Sequence, residues 1–161
     1  VKGLLTADLR AEVEALYGEY AERLDDGPLI SWPELFTEDC EYLVVPRDND
    51  ERGLPVAIMR CESRRMLSDR VRAVRETIMH EPRYLRHHIT NIGGHEGTAG
   101  RLELRANFSV IEVLPDALPR ILMVGRYRDV AVRDSGGGLR FAVKHCVFDS
   151  VLVPNTIVVP V

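Results

Sequence analysis

Lysine is nearly missing from this sequence: of its 21 basic residues only Lys2 and Lys144 are lysine, and the others are arginine. Other absences narrow the function more sharply. No apolar run approaches the ~18–20 residues that a membrane-spanning helix needs. The three cysteines, Cys40, Cys61 and Cys146, are odd in number and far apart, which argues against the disulfide framework of a secreted protein. A surplus of positive charge is lacking too. The formal net charge of −4 and pI near 5.8 give no reason to expect nucleic acid or an anionic membrane as partner. No signal-peptide pattern opens the sequence. The expectation is a soluble, cytoplasmic protein.

What is present fits one globular unit. A chain of 161 residues, 45% hydrophobic and 29% charged, can bury a core without disulfides or a structural metal. Residues 1–161 read as a single domain, with no repeat and no low-complexity segment. The arginine excess has two readings, a GC-rich genome or a surface built to meet partners, because the guanidinium fork pairs carboxylates and stacks on rings.

Helices come first. Leu9, Val13, Leu16, Tyr17, Tyr20 and Leu24 recur at three- and four-residue spacing, which predicts an amphipathic helix over about Ala7–Asp26, ended by Gly27-Pro28. Ser31-Trp32-Pro33-Glu34 reads as a capping box opening a short helix with Leu35 and Phe36. Glu41–Val45 reads as a strand stopped by Pro46 and the polar run Arg47–Gly53, and Pro55–Arg60 is a second short apolar segment. Met66, Leu67, Val71, Val74 and Ile78 predict a further helix from Glu62 to about Thr77. Strands follow at Leu85–Ile92, Arg101–Val113, Arg120–Arg133 and Leu139–Val153, rich in β-branched and aromatic residues and separated by Gly or Pro turns. Within the second, Leu102 to Val110 alternate strictly with charged and polar neighbours, and the phase changes at Val110-Ile111, where a bulge is expected to bend the sheet. Helices followed by long strands predict an α+β fold, a curved antiparallel sheet covered on one face by the N-terminal helices.

Candidate chemistry is thin. His87 and His88 are neighbours on a strand and point to opposite faces, so they do not share one ion, and His80, His95 and His145 lack close-spaced ligand partners. Ordinary core or interface histidines are the expected reading. The cysteines border or lie within apolar strands, as small buried hydrophobes do. There is no Gly-x-Ser-x-Gly elbow, no P-loop and no dinucleotide fingerprint, and Gly136-Gly137-Gly138 precedes a strand, which makes it a hairpin turn rather than a phosphate cradle. An acid/base pair is the better enzymatic reading: Asp25 or Asp26 at the helix end with His87 or His88 on a central strand, inside a cone-shaped pocket. The plain alternative for both aspartates is a solvated helix terminus.

The last eleven residues, Val151–Val161, are almost all apolar with two prolines, so the tail must bury itself against its own sheet or a neighbouring subunit. The charged rows Arg126-Tyr127-Arg128 and Arg101/Glu103/Arg105 suit either solvent or a charged partner surface. An obligate oligomer accounts for tail and arginines together.

The segment from Trp32 to Tyr42, Trp-Pro-Glu-Leu-Phe-Thr-Glu-Asp-Cys-Glu-Tyr, resembles the helix-to-strand passage of the nuclear-transport-factor-2-like (cystatin-like) superfamily. Narrower motifs follow in order: Met66–Thr77, Arg86-His87-His88-Ile89-Thr90-Asn91-Ile92, Gly125-Arg126-Tyr127-Arg128-Asp129, Val147-Phe148-Asp149-Ser150, Pro154-Asn155-Thr156-Ile157 and the Val-Pro-Val end. From about Leu16 to Val161 they resemble the beta subunits of aromatic-ring-hydroxylating dioxygenases. The resemblance implies a large alpha partner carrying a Rieske 2Fe–2S cluster and a mononuclear non-haem Fe(II), commonly in an alpha3beta3 hexamer with beta–beta contacts. This sequence lacks the Cys-x-His and Cys-x-x-His pairs of a Rieske site and an evident two-His-one-carboxylate set. No cofactor, metal or catalytic residue is therefore assigned to it. It is expected to hold alpha subunits together in an oxidoreductase of aromatic catabolism that uses NAD(P)H-derived electrons. Arg47–Gly53 resembles small subunits that accompany hydroxylases of monocyclic aromatic acids such as salicylate or terephthalate. Two other classes stand beside this one: a stand-alone dehydratase or isomerase using Asp25, Asp26, His87 and His88, and a non-catalytic cone that binds a small ligand.

Overall fold

The computed structural model describes residues 5–76, 82–150 and 159–161. Helix α1, Ala7–Asp25, starts where Thr6 Oγ1 accepts from the Leu9 N–H, and it buries the six apolar side chains anticipated for its inner face. A 3-10 helix, Leu29–Leu35, leads into strand β1, Phe36–Pro46. Next come a short helix α2, Arg47–Glu51, strand β2, Met59–Cys61, and helix α3, Arg64–Glu76. Four long strands follow: β3 Tyr84–Glu96, β4 Leu102–Val113, β5 Arg120–Arg133 and β6 Leu139–Phe148.

All six strands form one sheet in the order β2-β1-β6-β5-β4-β3. The α+β class stands, and one pairing departs from the antiparallel expectation: β1 lies parallel to β6, with Tyr42 opposite Lys144 and Val44 opposite Cys146. Strands that long stay unstrained by curling. Pairing shifts at Thr90/Gly93 between β3 and β4, at Val130/Ala131 between β5 and β6, and at Val110/Ile111, where the phase change predicted a bulge. The extra residue there is Leu122 of β5, so the inward alternation of β4 runs on unbroken to Glu112. That carboxylate is fully buried, and it is held between Arg83 (2.8 Å) and the two-pronged Arg120 (2.9 and 2.7 Å).

Some local expectations change. Ser31 does not cap a helix. The 3-10 turn begins two residues earlier, and Ser31 Oγ donates to the Pro28 carbonyl at 2.8 Å. The polar run after Pro46 begins as helix α2. Ion pairs tie α2 to the outer sheet face, Asp50 to Arg128 and His145 and Glu51 to Arg126, so part of the arginine row expected to meet a partner meets this helix instead. Gly125 is where β5 and β6 come closest: a Cβ there would stand 2.7 Å from Phe148 Cα and collide with the Val147 carbonyl. Ile78 and His80 lie outside the described residues, as does the Pro154–Ile157 motif.

The core lies between the helices and the concave face of the sheet. Tyr17, Tyr20, Trp32, Phe36, Tyr42, Tyr127 and Phe141 are fully buried and meet mostly edge to face. Into this cluster the end of the tail folds back. Val161 is buried, its carbonyl accepts from Tyr20 (2.6 Å) and Tyr42 (3.0 Å), and its N–H donates to the Tyr42 hydroxyl (3.0 Å).

Candidate functional site

Besides the Glu112–arginine cluster, two polar pairs among the described residues lie inside the cone. The first joins the end of α1 to β3: Asp25 Oδ1 is 2.6 Å from His87 Nδ1, and Asp25 Oδ2 accepts the His87 backbone N–H at 2.8 Å. Two contacts from one residue fix the carboxylate and make Nδ1 the protonated nitrogen, leaving Nε2 buried without a partner. Of the four acid/base candidates the structure brings together these two alone. Asp26 turns outward to Arg86 at 2.8 Å, and His88 is exposed on the other side of its strand.

The second pair was missed by sequence reasoning. Lys144 Nζ lies 2.9 Å from Asp129 Oδ2, both side chains are fully enclosed, and Tyr17 donates to the same oxygen at 2.6 Å. Asp129 Oδ1 accepts the His145 N–H at 3.1 Å. The ammonium sits over the Tyr127 ring, 2.9 Å from its centroid, with Tyr20 at 4.7 Å. Burial pulls the Lys144 pKa down, and the Asp129 charge opposes that pull. A signal was there to read: one of two lysines in the sequence, at an inward position among Phe141, Cys146 and Phe148.

Burial decides what chemistry remains. It pushes the Cys146 thiol up to about 12 and Cys40 up to about 11, so neither supplies a thiolate near neutral pH. The phenols of Tyr17, Tyr20, Tyr42 and Tyr127 are likewise pushed well up by burial. Among the described residues no three His, Cys, Asp or Glu side chains cluster as metal ligands. The cysteines have no histidine partner at Rieske spacing, so the residues here do not fit that cluster. Among the described residues Asp25–His87 is the His–carboxylate pair enclosed by the core, and Val161 with Tyr20 and Tyr42 fills the aromatic interior.

A single curled, unclosed sheet with helices in its concavity is the cone architecture of the nuclear-transport-factor-2-like superfamily. The chain is similar to a solved structure assigned as the beta subunit of an aromatic-ring-hydroxylating dioxygenase from Novosphingobium aromaticivorans, at TM-score 0.83 and 31% identity over 93% of this chain and 94% of that one. The family model for the ring hydroxylating beta subunit matches residues 19–155, and the chain belongs to that family. It is 33% identical over 159 residues to the anthranilate 1,2-dioxygenase small subunit of Burkholderia cepacia, covering 98% of both chains. It is 28% identical over 149 residues to a beta subunit of the terephthalate 1,2-dioxygenase terminal oxygenase of Comamonas sp, covering 92% of this chain and 96% of that one. The protein is a small subunit of the aromatic-ring-hydroxylating dioxygenases, and an alpha partner is implied.

Proposed function

We propose that this chain is the non-catalytic, structural beta subunit of a cytoplasmic Rieske non-haem iron oxygenase, folded as one domain and assembled with alpha as an alpha3beta3 hexamer. The alpha subunit would carry the Rieske 2Fe–2S cluster and the mononuclear Fe(II). The substrate proposed is a monocyclic aromatic acid, because the relatives named for anthranilate and terephthalate both act on single-ring carboxylates. The observation that carries the structural role is the filled aromatic interior: Val161 lies buried in the concavity of the sheet, hydrogen-bonded to both Tyr20 and Tyr42. The sheet's outer face, rich in arginine, remains for subunit contacts.

The test is purification of the tagged chain from its native cytoplasm at low salt, with native mass spectrometry and iron analysis. An iron-bearing complex with a large chain in equal stoichiometry is expected. A lone, iron-free monomer or homodimer would overturn the reading, and Asp25 and His87 would become the residues to mutate for dehydratase or isomerase activity.

A further inference from the structure

On the outer face of the sheet Gly93, Arg105 and Arg128 form one row across β3, β4 and β5, each directly opposite the next. Like charges facing each other across strands are unfavourable unless something answers them. Arg128 is answered: Asp50 of α2 pairs with it and also meets His145, the next residue in the row. Arg105 is exposed and has no hydrogen bond or ion pair among the described residues. Beside it Gly93 leaves a gap. Among the described residues a Cβ there would meet only Arg105 Nε and Nη2, at 3.6 and 3.9 Å, so no neighbour packed against it requires a glycine. A pocket of about 510 Å³ opens over this row, with Gly94, Arg105, Arg128 and Val130 in its lining and walls more apolar than polar. Of the acidic residues that border it, Asp129 turns its side chain inward to Lys144, and Glu103 stands 2.9 Å from His95 Nε2.

We infer that this groove seats an Asp or Glu side chain of the alpha subunit between Arg105 and Arg128, with the apolar part of the same segment resting on Val130 and the bare backbone at Gly93 and Gly94. Charge complementarity names the occupant. A carboxylate placed between two opposed guanidiniums turns a repulsion into a shared ion pair, and the planar forks can hold both of its oxygens. The site's place on an outer sheet face makes the partner a protein. A small ligand needs most of its surface enclosed, which an open groove does not provide, whereas a protein segment brings its own cover. The groove lies on the face that the proposed function leaves for subunit contacts, so the inference rests on that reading and adds the contact residues to it.

The scarcity of lysine supplies the test. The chain has only Lys2 and Lys144, and Lys144 is fully enclosed. Arg105→Lys therefore puts one of very few amines into the groove. A carbodiimide, which joins an amine to a carboxylate in contact with it, is applied to the purified alpha–beta complex. Mass spectrometry of the digest should show a link from position 105 to an Asp or Glu of the large chain. Arg105→Glu should weaken alpha–beta association about tenfold, read from the dilution at which the complex dissociates. Arg72→Glu, a reversal at an exposed position of α3 in the helical layer, should change it less than about twofold. A complex in which position 105 gives no link to the large chain, or in which Arg105→Glu weakens association no more than Arg72→Glu, overturns the inference and leaves the subunit assignment standing. A wild-type chain that purifies without a large partner overturns both.

Discussion

The two polar pairs inside the cone are made of similar parts and do different things. Lys144–Asp129 is sealed: both side chains have no exposure, the carboxylate has contacts on both oxygens, and the ammonium is covered by tyrosine rings. Asp25–His87 is incomplete: Asp25 reaches a pocket and His87 keeps an unpartnered nitrogen. A satisfied buried pair fixes one arrangement of the elements that supply it, here α1 through Tyr17, β5 and β6. An unsatisfied one leaves a polar atom unanswered. The contrast separates a structural tie from a pair that keeps hydrogen-bonding capacity.

The largest effect should come from breaking the sealed pair. Lys144→Met keeps the length of the side chain and leaves the Asp129 charge buried with only the Tyr17 hydroxyl and the His145 N–H as partners. A loss of about 3–5 kcal/mol is expected, read from urea unfolding of the complex-competent chain. Adding Asp129→Leu should recover most of it, because two apolar groups replace two charges. If Lys144→Met costs no more than an exposed substitution, water reaches the pair and the distinction between the two sites fails.

Asp25→Asn should cost less, about 1–2 kcal/mol. The amide oxygen still accepts from the His87 backbone N–H, and the amide NH2 can donate to the ring Nδ1 once the ring proton moves to the unpartnered Nε2. The two substitutions together sharpen the comparison, since the ratio of their costs measures how differently the pairs are enclosed. Equal costs would mean that Asp25–His87 is as much a structural tie as Lys144–Asp129.

Much of this contrast was legible beforehand, and the illegible part has a physical cause. The α1 stripe from Leu9 to Leu24 and the β4 alternation name their buried faces, because burial repeats with the period of the element. A helix end lying over a strand gave Asp25 or Asp26 with His87 or His88; the structure selects Asp25 and His87 and puts their strand, β3, at the edge of the sheet rather than at its centre. Asp129 and Glu112 hid because a charge at an inward position reads as a break in pattern until its partner is known. Those partners are distant in sequence: Tyr17 for the one, Arg83 for the other. The parallel β1–β6 pairing was hidden for a related reason. Nothing local separates a strand that returns beside the first strand from one that extends a meander.

The smallest predicted effect probes the space between the pairs. Tyr127 is fully buried with its hydroxyl unpartnered, stacked on Phe108 at 4.4 Å and lying under Lys144. Its ring serves the sealed pair, while its oxygen faces an interior that offers it no acceptor. Tyr127→Phe keeps the stacking and the cation–π contact and removes a buried polar atom, so stability should rise by about 0.5–1 kcal/mol or stay level. Tyr17→Phe supplies the contrast on the same measurement, because that hydroxyl donates to the buried Asp129 carboxylate and its loss should cost about 1.5–3 kcal/mol. A clear loss for Tyr127→Phe would show that a water joins the Tyr127 hydroxyl to its surroundings. The interior would then be wet near Lys144 as well, and the sealed pair would owe part of its cohesion to solvent.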